Sequence, residues 1–275
     1  MKHPKLRNAV LAAAALISTM GLYTLKGRSG HPGMEALRGW GYAHRGLHVP
    51  GIPENSMAAF RAALEKGYGI ELDIHLMKDG NLAVIHDASL LRTAGVDVQI
   101  EDLTAEDLER YRLEGTDEKI PLFRDVMALY EGKAPMIVEL KPVRDNHAAL
   151  ARAACDLLEN YRGAYCIESF DPRCIQWLRK NRPQIIRGQL AENFVANGSK
   201  IPTAIRFALT HNLLNFATCP DFVAYKFADR NDSPTTALCR KAWDIQGVAW
   251  TIRSQKDYDT ALREGWLPIF EGFEP

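Results

Sequence analysis

From residue 41 onward, short apolar runs alternate with amphipathic stretches. The runs are "YAH" (42–44), "IELDI" (70–74), "MIVEL" (136–140), "YCIES" (165–169), "IRGQL" (186–190), "FVAYK" (222–226), "GVAWT" (247–251) and "PIFEG" (268–272). Each is too short for a stable helix and is bounded by polar, Gly or Pro residues, which predicts buried strands. Helical spacing predicts helices over 54–66, 104–112, 121–131, 146–161, 171–181, 200–212, 234–243 and 254–264. Two start signals are explicit: "DPRC" directly after a strand, and "LTAEDLERY", where Thr104 is a natural N-cap with Asp107 at the third helical position. Eight strands, each but the last followed by helix, predict an α/β fold closed as a distorted (β/α)₈ barrel of the TIM type. The competing open, doubly wound sheet lacks support, because no Gly-x-Gly-x-x-Gly follows the first strand.

One segment breaks the alternation. "IELDIHLMKDGNLAVIHD" (70–87) reads as strand, turn, strand, with Asp79-Gly80 supplying hairpin chemistry and no room for a crossover helix. This predicts a hairpin excursion after the second strand that returns His86 to the level of Glu71 and Asp73.

The first 30 residues differ in kind. "MKHPKLRN" is basic, and the run Ala9–Leu25 that follows carries no charge. It falls between a signal-peptide core of about 7–15 residues and a spanning helix of about 20. Residues 1–30 are therefore expected to be an N-terminal hydrophobic helix serving as an uncleaved single-pass membrane anchor, with a cleaved export signal and a secreted protein as the alternative. The basic N-terminus orients the following domain outside the cytoplasm. Residues 31–40 are expected as a linker and 41–275 as the barrel domain. Lys+Arg and Asp+Glu number 34 each, so no global field recruits nucleic acid. No protein partner is indicated. Five scattered cysteines without a Cys-x-x-Cys argue against a zinc knuckle and read as small buried hydrophobes.

The chemistry sits at strand ends. Alternate residues of a strand share a face, so Glu71 pairs with Asp73 and Glu139 with Lys141. Three inward carboxylates are costly to bury unpaired, and a hard divalent cation, Mg²⁺ or Ca²⁺, would neutralise them. An ion-paired cluster with Arg45 and Lys141 is the alternative. Two histidines, His44 and His86, join this set with Arg45. Such a group suits phosphodiester cleavage: Arg45 binds phosphate by its planar fork, and the histidines exchange protons with nucleophile and leaving alkoxide.

The stretches "AHRG" (43–46), "PENS" with Phe60, "ELDIHLMKDGNLAVIHD" (71–87), "LT" (103–104), "IPLFRDV" (120–126), "VELK" (138–141), "IESFD" (167–171) and "VAWTI" (248–252) resemble the glycerophosphodiester phosphodiesterase family over roughly residues 41–273. The resemblance implies a distorted barrel that hydrolyses glycerophosphodiesters to glycerol 3-phosphate and an alcohol, with His44 and His86 as the catalytic pair. It further implies metal ligation by Glu71, Asp73 and Glu139, and phosphate contact by Arg45 and Lys141. The last strand departs from the family, reading "PIFEGF" where many relatives carry Thr-Asp.

Trp250 is a candidate to stack on the glycerol carbons, with core packing as the alternative. Glu54 and Asn55 are candidates to support the site, Asn55 either by holding His44 or by capping a helix. His31, His75, His147 and His211 show no partner pattern. Residues 191–220 read as a connecting helix, with a cap over the site or a membrane contact as the alternative. Two rival functions remain: a lysophospholipase D or sphingomyelinase-like lipid phosphodiesterase, and a non-catalytic phosphate-binding barrel. The second does not need two proton carriers. No obvious apolar groove for acyl chains is legible, which points to water-soluble substrates.

Overall fold

A computed structural model of the chain describes residues 19–198 and 201–275. Eight parallel strands close a barrel: β1 (Tyr42–His44), β2 (Gly69–Leu76), β4 (Met136–Leu140), β5 (Tyr165–Ser169), β6 (Arg187–Ala191), β7 (Phe222–Lys226), β8 (Gln246–Ile252) and β9 (Trp266–Phe270). Closure is made by β1, which pairs in parallel with both β2 and β9. The antiparallel strand β3 (Leu82–Val84) hangs off β2 with Ile74 opposite Val84, and the Ile85 amide donates to the Asp73 carbonyl at 3.1 Å. That register brings His86 level with Leu72, as the turn chemistry of Asp79-Gly80 predicts.

Strand parity sorts the core into two layers. Ile70, Leu72, Ile74, Val138 and Ile167 face the surrounding helices α1 (Met57–Glu65), α2 (Phe123–Tyr130) and α3 (His147–Leu158), while Tyr42, Ile137, Cys166, Phe222, Val248, Leu267 and Ile269 fill the lower barrel. Within the stretch read as a linker, Pro32–Leu37 forms a 3₁₀ turn whose Met34 and Leu37 are buried against that lower layer. Tyr42 donates its hydroxyl proton to the Leu37 carbonyl at 2.6 Å, fixing the plug. The lower end is thus sealed by apolar side chains, and the polar interior residues stand at the carboxyl ends of the strands.

The remaining helices follow the expected order: α4 (Pro172–Asn181), α5 (Thr203–Thr210), α6 (Pro234–Trp243) and α7 (Gln255–Arg263). The helix expected over 104–112 is a correction. Thr104 and Asp107 make the reciprocal capping bonds, yet only a single 3₁₀ turn forms at Asp107–Arg110. The buried Leu103, Leu108 and Leu113 instead pin an irregular chain over the hairpin's own small core, and tertiary contact overrides local propensity there. The described residues between β6 and β7 include α5, tied down where Tyr225 donates to the Thr210 carbonyl.

Residues 1–18, most of the expected anchor, lie outside the described residues. Among the described residues no helix is long and apolar enough to cross a membrane. All five cysteines are buried and free.

Candidate active site

The β1 end is built around a tight turn. Arg45 and Asn55 both adopt left-handed backbone conformations, with φ of 55° and 53°, and Gly46 has φ of 80°. A Cβ on Gly46 would meet the Ala59 Cβ at 2.8 Å, so the turn after His44 requires glycine. The Asn55 amide donates to the Arg45 carbonyl at 2.8 Å, and the non-glycine left-handed residues are held by this closure at a cost of about 1–3 kcal/mol each.

Glu71, Asp73 and Glu139 converge as the strand pattern predicts. Each offers a carboxylate oxygen, and these atoms lie within 4.8 Å of one another. Burial and the charges of Asp73 and Glu139 push the Glu71 carboxyl far above its ordinary range. Burial likewise pushes Glu139 up to about 7, against the pull of Lys141. Burial opposes ionisation of Asp73 too, but Lys141, His86 and Arg45 outweigh it and hold that carboxylate ionised. The counter-charges are incomplete. Lys141 Nζ lies 3.1 Å from Glu139 and 3.4 Å from Asp73, and Arg45 Nε lies 3.4 Å from Asp73. Glu71 receives only the Arg45 amide at 3.2 Å and the His44 ring at 3.8 Å. Glu168, the cross-strand neighbour of Glu139, adds a fourth buried carboxyl whose Oε2 has no partner. Two cations against this many buried acids leave the set fitted to a hard divalent ion, which oxygen ligands prefer.

Both histidines are anchored in the same way. His44 Nδ1 lies 2.7 Å from Glu271 Oε2, and His86 Nδ1 lies 2.6 Å from Asp87 Oδ1. A carboxylate only accepts, so in each ring Nδ1 carries the proton and the Nε2 of the neutral ring is free to accept one. Burial lowers the pKa of both rings, which favours that neutral form, although the carboxylate partners pull the other way. Glu271, in turn, is held down to about 2 by the His44 bond. It stands in the last-strand stretch "PIFEGF" and continues the inward parity of Leu267 and Ile269.

The supporting residues divide. Glu54 accepts from Arg45 Nη1 at 3.0 Å, as a partner of the phosphate-binding candidate. Asn55 is a correction on both of its readings. It donates to Asp73 Oδ2 at 2.9 Å and does not touch His44, and the helix cap is Ser56, which accepts from the Ala59 amide. Trp250 packs edge-on against Phe170, which packs on Phe194. Phe170 lines a cavity of about 480 Å³ with His86, Glu139 and Lys141, whereas Trp250 stands behind Phe170 and packs against the lower-barrel core, as its alternative reading has it. Four residues that the structure places at or against the candidate site are not singled out by the sequence: Glu271, Asp87, Glu168 and His75. The buried His75 ring bridges Glu101 at 2.7 Å and the His86 carbonyl at 3.1 Å. Asp87 has a local signal in "HD", and Glu168 and Glu271 share the inward parity of their strands, whereas the contacts that Glu271 and His75 make have none.

A parallel barrel thus brings buried acids, two cations and two carboxylate-anchored histidines together at its carboxyl rim. The sequence profile of the Glycerophosphoryl diester phosphodiesterase family matches residues 44–270, and the chain belongs to that family. It is similar to a glycerophosphodiester phosphodiesterase of Bacillus altitudinis, 39% identical over 107 residues that cover 36% of this chain and 43% of the relative. It is also similar to a lysophospholipase D of Rattus norvegicus, 34% identical over 133 residues covering 44% of this chain and 41% of the relative. The matches thus span under half the length of these relatives. In fold it is similar to an Oleispira antarctica phosphodiesterase solved in complex with the product sn-glycerol-3-phosphate, with a TM-score of 0.66 at 20% identity, covering 91% of this chain and 94% of that one.

Proposed function

We propose that this protein hydrolyses glycerophosphodiesters to glycerol 3-phosphate and an alcohol, using His44 and His86 as the proton-transfer pair. The observation that carries the reading is the matched anchoring of the two rings, each presenting a free Nε2, one beside Glu71 and the other in the field of Asp73. A phosphate-binding module would need the cations but not two oriented proton carriers.

Glu71, Asp73 and Glu139 are the residues that would hold Mg²⁺ or Ca²⁺. Such an ion supplies Lewis-acid neutralisation of a non-bridging phosphate oxygen. Arg45 and Lys141 supply the remaining positive charge, and Arg45 offers a planar fork to the phosphate oxygens. One histidine, neutral and protonated only at Nδ1, takes the proton of the attacking hydroxyl on its Nε2, and the other, entering the step as the imidazolium, gives its Nε2 proton to the departing alkoxide. Phe170, backed by Trp250, offers the glycerol carbons an apolar surface.

A second reading has its own support. An apolar cavity of about 780 Å³ lies along the loop after His44, lined by Leu47, Val49, Pro50, Ile52 and Phe273. Its lining also includes His48, Glu65, Lys66, Glu114 and Glu274, and it gives a lysophospholipase D activity a candidate chain-binding surface. None of the proposed catalytic, metal-holding or phosphate-binding side chains lines that cavity, and it shares no lining residue with the one containing His86 and Lys141. A soluble diester is thus the better fit. With monomeric substrates, kcat/KM for glycerophosphoethanolamine should exceed that for lysophosphatidylethanolamine by at least tenfold, about 1.4 kcal/mol of transition-state binding. A tenfold advantage of the lysolipid would put an acyl chain in the apolar cavity and replace the soluble-diester reading.

A further inference from the structure

The excursion between β3 and β4 sends one guanidinium back across the mouth of the site. Arg92 lies in the short helix Leu91–Ala94, which Gly95 ends in a left-handed conformation. Its Nε donates to Asp87 Oδ2 at 2.5 Å, and its Nη2 donates to Glu54 Oε1 at 2.7 Å. Each of those carboxylates already serves another group. Asp87 holds the Nδ1 of His86, and the same Glu54 oxygen accepts from Arg45 Nη1. The chain of contacts therefore runs Asp73, Arg45, Glu54, Arg92, Asp87, His86, with Arg92 as the one link that comes from neither rim element it joins.

We propose that Arg92 is a positioning residue for catalysis, setting the distance between the phosphate-binding Arg45 and the acid/base His86 through their two carboxylate partners. The proposal rests on the roles given above to Arg45 and His86. Its physical basis is the rigid fork of arginine, whose separate N–H groups reach two acceptors at a fixed spacing. A lysine ammonium is a single compact charge and cannot reproduce that spacing. The Arg92 side chain is 47% exposed, so its ion pairs contribute little to stability. A bridge of that kind in an exposed place has its effect on geometry: a misplacement of about 1 Å between reacting groups costs about 10²-fold in rate. Without Arg92, Glu54 remains paired to Arg45 and Asp87 to His86, so both local pairs survive while their mutual placement is released.

The test compares Arg92→Met and Arg92→Lys with the parent chain on glycerophosphocholine. Arg92→Met should lower kcat by about 10- to 100-fold and raise KM, with the melting temperature moving by about 2 °C or less. Arg92→Lys should recover only part of kcat. Millimolar guanidinium ion should restore activity to an Arg92→Ala variant and leave the parent unaffected, a response that a merely structural role would not give. Unchanged kcat and KM in Arg92→Met would overturn the proposal, as would a loss that guanidinium does not repair. His86→Ala measured alongside separates the two levels. If it is inactive while Arg92→Met is normal, the positioning role fails and the acid/base reading stands. If His86→Ala retains full activity, the underlying reading fails.

Discussion

Replacing His44 or His86 by alanine should each lower turnover by roughly 10²–10⁴-fold, the usual worth of a positioned acid or base. That corresponds to about 3–5 kcal/mol of transition-state stabilisation. The fold should survive, because neither substitution strands a buried charge. Without His44, Glu271 keeps Arg253 at 3.0 Å; without His86, Asp87 keeps Arg92 at 2.5 Å. Steady-state kinetics on the variants, with circular dichroism to confirm folding, check this expectation. A variant of either histidine with near-parental kcat and intact structure would mean that its free Nε2 carries no proton in the reaction.

Removal of divalent cations should have an effect of similar size. Glu71 and Glu139 are driven toward their neutral forms by burial and by the charge of Asp73, with Glu139 adding to the effect on Glu71, and Arg45 and Lys141 do not balance the cluster. Chelation should abolish turnover, and Mg²⁺ or Ca²⁺ should restore it. A readout independent of activity follows from linkage. A ligand at 100 times its Kd stabilises the folded chain by about 2.7 kcal/mol, which raises the melting temperature by roughly 5–10 °C for a chain of this size. Glu71→Gln combined with Glu139→Gln should remove that shift. Full activity and an unchanged melting temperature after chelation would instead leave the carboxylates as an ion-paired cluster with Arg45 and Lys141.

The parts of this architecture legible in the sequence are those governed by local rules. The strand β4 is read to its ends because "MIVEL" is a short apolar run between Pro135 and "KP". The pairing of Glu71 with Asp73 and of Glu139 with Lys141 follows from the two-residue period of a strand. The return of His86 follows from the Asp-Gly turn. What was not legible depends on closure. Glu271 meets His44 across 227 residues because β9 pairs with β1, and no local pattern announces that contact. Asn55 looked like a helix cap or a partner of His44 because it sits at a helix start, whereas its left-handed backbone turns the amide toward Asp73. The 104–112 segment carries a sound capping signal, but burial of its leucines under the hairpin decides its conformation.

The central claim is that this barrel rim cleaves the phosphodiester on the alcohol side of phosphorus. Phosphorus NMR of the full chain incubated with glycerophosphocholine and a divalent cation tests it most directly. The account predicts that the diester resonance is replaced by that of glycerol 3-phosphate, with choline released in equal amount and no conversion in the His86→Ala variant. An unchanged diester, or its conversion to phosphocholine and glycerol, would contradict it.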